Sequence, residues 1–136
     1  MRAIYCCNCA AEVSARLTSG AEVYPHRPDL RDLPFWRCDG CGGFVGCHHK
    51  TRQRTRPLGV IASPAIKNAR RHIHALLDPL WQSGQIDRKR LYQDIGKHLG
   101  HEYHTGEIRT IEEAREVYVA ARRIAAEIKQ RSGHAV

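Results

Sequence analysis

The chain has 136 residues, of which 42% are hydrophobic and 26% charged, and a formal net charge of +8. That length fits one domain with a modest core, to which a bound metal would add noticeable stability. No apolar run approaches the roughly 18 residues of a membrane span, which excludes a bilayer-spanning helix. The positive charge attracts nucleic acid, acidic proteins or anionic surfaces without choosing among them.

In chain order, the segment Met1–Cys6 carries no apolar stretch of signal-peptide length, so the expectation is a cytoplasmic protein with reduced thiols. Six cysteines in that setting point to metal rather than to disulfides. Cys6 and Cys9 form the first Cys-x-x-Cys pair. Val13–Leu17 and Ala21–Tyr24 flank Thr18, Ser19 and Gly20 and are predicted to be the strands of a hairpin. Pro25, Pro28 and Pro34 mark the next stretch as a loop. A third strand is predicted at Phe35–Cys38, followed by the second pair, Cys38 and Cys41, with Gly42 suiting the bend behind it. A fourth extended piece is predicted at Gly43–His48. This is the layout of a zinc ribbon.

Each Cys-x-x-Cys pair can wrap one ion and offer two thiolates, so Cys6, Cys9, Cys38 and Cys41 close a tetrahedral site with no position left for water. One structural Zn2+ is the cofactor expected. Cys7, Cys47, His48 and His49 offer alternative quartets, while the plainer role for Cys7 and Cys47 is that of small buried apolar residues. Two pairs framing strand-like sequence disfavour a redox dithiol.

Lys50, Arg52, Arg54 and Arg56 recur at every second position, so an extended backbone would place them on one face. They make either a phosphate-contacting arm or a solvated linker. Lys67, Arg70 and Arg71 prolong a stretch that holds no acidic residue, and these seven cations are the candidate nucleic-acid contacts. No strand is read as carrying paired aromatics for base stacking.

Three helices follow. Ser63 and Pro64 supply an N-cap and a proline at the first helical position, ahead of a stripe of Ile66, Ala69, Ile73, Leu76, Leu77 and Leu80 that Pro79 should kink or end. Asp87 caps a second helix bearing Leu91, Ile95 and Leu99 and stopped by Gly100. Thr110 and Glu113 form a capping box for the third, whose stripe runs from Ile111 to Ile128. Arg71, His74, Asp78 and Trp81 share one face of the first helix; with His48 they make a candidate metal or acid–base site, weighed against a polar seam of hydrogen bonds.

The array Cys6-x-x-Cys9, Val23-Tyr24-Pro25, Trp36-x-Cys38-x-x-Cys41, Val45-Gly46-Cys47-His48, Pro57-Leu58-Gly59, Arg71-x-x-His74-x-x-x-Asp78-x-x-Trp81 and Arg90-x-Tyr92 resembles a small phage and prophage family of zinc-finger-containing domains. The match spans about residues 5 to 118. The resemblance implies that Cys6, Cys9, Cys38 and Cys41 bind zinc and that the setting is a mobile element; it implies no reaction. The doubled Cys6-Cys7 departs from the pattern.

The expected architecture is α+β: a zinc ribbon over 1–50 with three to four short antiparallel strands, a basic linker over 51–62, and a three-helix unit over 63–136, packed together as one domain. The expected function is a small basic zinc protein that binds DNA or RNA in a phage setting. The alternatives are an accessory factor that binds a host protein, and a metal-dependent nuclease or hydrolase using His48, His74 and Asp78. An enzyme is the less favoured class, and no membrane partner is expected.

Overall fold

The computed structural model describes residues 1–134, which form two compact units that divide between Pro64 and Ala65. Their residues account for four antiparallel strands near the N-terminus and helices after them.

In the first unit, strands β1 (Arg2–Cys6), β2 (Ala11–Ser19), β3 (Pro34–Arg37) and β4 (Phe44–Gly46) form one sheet in sequence order. Neighbours are antiparallel, with Ile4 opposite Val13, Leu17 opposite Trp36, and Trp36 opposite Val45. Alternation along the strands sends Ile4, Cys6, Ala15, Trp36 and Cys38 to one buried face, where Cys47 and Ile61 join them and Val13 and Val45 pack alongside. The turns of both hairpins are the Cys-x-x-Cys segments, so the sheet brings two cysteine pairs to the same end.

The first hairpin is therefore β1 with β2. The strand predicted at Ala21–Tyr24 is instead a single helical turn, α1 (Gly20–Val23). The cause is the loop that follows. Its Leu33 and Arg31 carbonyls accept from the Gly20 and Ala21 N–H groups at 3.0 and 3.2 Å, taking the donors a second hairpin strand would have needed. Gly20 permits this approach because a Cβ there would lie 1.8 Å from the Leu30 carbonyl oxygen.

The segment after β4 is stitched to the same unit. Cys47 bridges to Pro57, and the Ile61 N–H donates to the Tyr5 carbonyl at 2.9 Å while Cys7 N–H donates to Ile61 at 2.8 Å. Ile61 is fully buried. Residues 57–62 thus complete the core of the β module.

The second unit holds α2 (Pro64–Gln82), α3 (Arg88–Leu99) and α4 (Ile111–His134). The predicted start and stop of α3 and the predicted start of α4 are visible in the hydrogen bonds. Asp87 accepts from Arg90 N–H at α3, and Gly100 ends that helix in the left-handed conformation at φ +82°. At α4, Thr110 Oγ1 accepts from Glu113 N–H at 3.1 Å, and the Glu113 carboxylate reaches back to Arg109 N–H. Pro79 does not end α2, which runs on to Gln82. It stands in the last turn, where its missing N–H forfeits one helical bond while its carbonyl still accepts from Ser83. Ile73, Leu77, Leu91, Ile95, Ile108 and Val117 are buried almost completely.

Candidate metal centre and basic loop

The turn between β1 and β2 carries Cys6 and Cys9, and the turn between β3 and β4 carries Cys38 and Cys41. The four sulfurs all lie within 4.8 Å of one another, the one such group of three or more metal-ligating side chains among the described residues. Cys6 Sγ lies 3.5 Å from Cys41 Sγ, and Cys9 Sγ lies 3.8 Å from Cys38 Sγ. A tetrahedron with Zn–S bonds of about 2.3 Å has sulfurs about 3.8 Å apart, so the residues fit one zinc ion.

The electrostatics call for a cation. Its hydrogen bond to Cys38, then that to Cys6, pushes the Cys9 thiol up to about 12, and burial raises Cys6. Four sulfurs this close cannot all ionise unless a positive ion sits among them. Cys41 goes the other way: burial works against its ionisation, but the Gly43 N–H and further hydrogen bonds lower it to about 7. The donors are Gly43 N–H at 3.3 Å and the Asn8 amide at 3.8 Å. Such donors to a ligating sulfur hold it in its thiolate form. Asn8 and Gly43 were not singled out in the sequence; their positions beside the cysteine pairs were the available signal.

Cys7 and Cys47 fall outside the quartet. Cys47 is 3% exposed, lies in the apolar core and has its thiol raised by that burial. His48 and His49 are half-buried next to it and are not part of the four-sulfur group.

Lys50, Arg52, Arg54 and Arg56 are exposed, but on a closed loop rather than an extended arm. The His48 N–H donates to the Arg56 carbonyl at 2.8 Å and closes the loop's base. Inside it, Thr51 N–H donates to His48 and Arg56 N–H to Gln53. The Trp36 indole N–H donates to the Thr55 carbonyl at 2.6 Å and ties the loop to the core. Turns replace the strand because the bridge at Cys47 and Pro57 returns the chain to its starting edge.

Among the described residues, none of these four cations is within ion-pair distance of a carboxylate. The contrast within the same unit is sharp. Arg16 holds Asp39 and Glu22 at 2.9 Å, Arg37 pairs with Asp39, and Arg27 holds Asp29 at 2.8 Å. Hydrogen bonding to Arg16 draws the Asp39 carboxyl down to about 2, so this network is fully charged and internally balanced near neutrality.

Lys67 and Arg71 are exposed on α2, whereas Arg70 is half-buried and donates to the Gly106 and Ile108 carbonyls at 2.7 and 3.5 Å. That guanidinium braces its own unit. His74 and Asp78 also lie on α2, where the Asp78 carboxylate accepts from the Trp81 indole one turn further along the same helix at 3.0 Å. Among the described residues, no carboxylate or histidine joins the four cysteines in a metal-ligating group.

Aromatic residues from separate segments meet on the sheet. Phe35 faces Gly46 and Arg37 faces Phe44 across β3 and β4, so Phe35 and Phe44 share the face opposite the core. Tyr24, delivered by the α1 turn, meets both rings edge-on at centroid distances of 5.6 and 5.2 Å. The missing signal was the register, which no single segment contains.

This curled sheet with its four-sulfur end defines a zinc-finger class of protein. The model of a family described as a zinc-finger-containing domain matches residues 2–126, and the chain belongs to that family. Neither a curated protein nor a solved structure matches it. No helix among the described residues is long and apolar enough to cross a membrane.

Proposed function

We propose that this chain is a structural-zinc module that binds nucleic acid through the basic loop at residues 48–56. The observation that carries this reading is the set of exposed cations on a pinned loop with no carboxylate in ion-pair reach, in a unit whose Arg16, Arg27 and Arg37 are neutralised by Glu22, Asp29 and Asp39. Cations already fixed on a folded loop lose little freedom on meeting phosphates, and each contact releases condensed counterions. The zinc holds the strands and leaves this surface free. A phage or prophage setting belongs to the same reading and rests on the resemblance of the motif array.

The test is binding of labelled DNA and RNA to the zinc-loaded chain across a salt series. Affinity should fall steeply with salt. Replacing Arg52, Arg54 and Arg56 by Gln should weaken binding and flatten the log–log salt slope by up to about 3, close to one per lost phosphate contact. Absence of binding at low salt, or an unchanged slope in the triple variant, removes the reading. Retention of a discrete acidic protein after nuclease treatment would instead favour a protein partner.

A further inference from the structure

The outer face of the sheet has a graded chemistry along β3 and β4. At the cysteine end, Arg37 joins Arg16, Asp39 and Glu22 in the balanced ion-pair network. In the middle stand Phe44 and Phe35, with Tyr24 against them. At the far end, Leu58 lies over Gly46, where a Cβ would come 3.3 Å from Leu58 Cδ1 and 3.7 Å from Phe35 Cε1. Immediately beyond are Cys47, His48 and the basic loop, with Arg54 reaching the Asp32 carbonyl just ahead of β3. A neutral polar end and an aromatic centre therefore follow one another on this face, and the chain leaving β4 beside it carries the unpaired cations of the loop.

Resting on the basic-loop reading, we propose that this surface takes a single-stranded nucleic acid, with an unpaired base stacked on Tyr24, beside Phe44, and the flanking phosphates carried by Lys50, Arg52, Arg54 and Arg56. Tyr24 is 37% exposed and Leu58 53% exposed, on the side of the sheet that the core does not use. The edge-to-face packing against Phe35 and Phe44 holds the Tyr24 ring upright, and a rigid exposed ring gains stacking energy with any base at little entropic cost. A duplex keeps its bases stacked inside and offers this ring nothing, so it engages only the cations. Charge complementarity selects a polyanion over an apolar peptide. The adjacent aromatic selects the strand whose bases are free.

The experiment is fluorescence anisotropy of the zinc-loaded full chain with a mixed-sequence single strand and with its duplex. The single strand should bind more tightly. Tyr24→Ala should lose roughly tenfold in single-strand affinity, leave duplex affinity unchanged and keep the salt slope, while Tyr24→Phe retains binding. Equal single-strand affinity in Tyr24→Ala, or equal losses on both ligands, overturns the stacking proposal and leaves the basic-loop reading standing. No binding of either ligand by the wild type removes both. Should Tyr24→Ala fail to fold, photo-crosslinking of a halogenated-uracil single strand to the wild type decides: adducts on Tyr24 or Phe44 support the proposal, and adducts confined to other residues overturn it.

Discussion

Single residues in this chain often owe their chemistry to what covers them. Tyr103 is 4% exposed, and its hydroxyl shares a 2.6 Å hydrogen bond with Thr105 Oγ1, itself buried. Burial pushes its phenol up to about 12, with the Thr105 hydrogen bond and Arg70 pulling the other way. The sign follows from proton counting. An unfolded tyrosine ionises near pH 10, so between about 10 and 12 the unfolded state binds fewer protons than the folded one, and stability falls as pH rises. The contribution is present in full below about pH 10 and is lost as pH rises through about 12, a total of roughly 2–3 kcal/mol at 1.36 kcal/mol per unit. Urea midpoints of the helical signal, measured at intervals between about pH 9 and 11.5, should drift down in the wild type and much less in Tyr103→Phe. Identical drift in both proteins would assign the loss to another group.

Among the elements, what the sequence shows well is what local chemistry decides. Asp87, Gly100, Thr110 and Glu113 act within a turn of their own positions, and each cap or stop they promise is present in the hydrogen bonds. The four-cysteine quartet was legible for the same reason, since each pair is a local motif. The hairpin partner of β2 was not. Arg2–Cys6 is a short strand with little alternation before the first ligand pair, and the competing turn at Thr18–Gly20 looked stronger until the Arg31 and Leu33 carbonyls claimed its donors. The closed form of the basic loop and the aromatic face depend likewise on contacts between segments far apart in sequence, such as Trp36 with Thr55 and Tyr24 with Phe44. The α4 cap yields a direct measurement. Thr110→Ala should cost about 1 kcal/mol, a drop of some 4–8 °C in the helical unit's midpoint. Glu113→Gln should cost less, because an amide oxygen still accepts from Arg109 N–H. An unchanged midpoint in Thr110→Ala would show that the hydroxyl bond does not stabilise α4.

At the scale of the whole molecule, the two units are stabilised by different means. The β module has a small core in which Cys6, Cys38 and Cys47 stand among Ile4, Ala15, Trp36 and Ile61, and two of its hairpin turns end in thiols that repel when ionised. A unit of about 60 residues is marginal on apolar burial alone, whereas a structural zinc supplies an apparent 10–16 kcal/mol, by order of magnitude about the stability such a module lacks. The helical unit contains no cysteine and buries Ile73, Leu77, Leu91, Ile95, Val117, Ala121 and Ile124. Chelation should therefore unfold the first unit selectively. The two tryptophans make this readable, because Trp36 lies in the β module and Trp81 on α2. In a Trp81→Phe background, a strong chelator should shift Trp36 emission to the red and open all six thiols to alkylation, while most of the far-ultraviolet helical signal remains. Loss of the helical signal in step with Trp36 would show that the helices depend on the metal. Unchanged Trp36 emission in a sample proven metal-free would show that the strands hold without it.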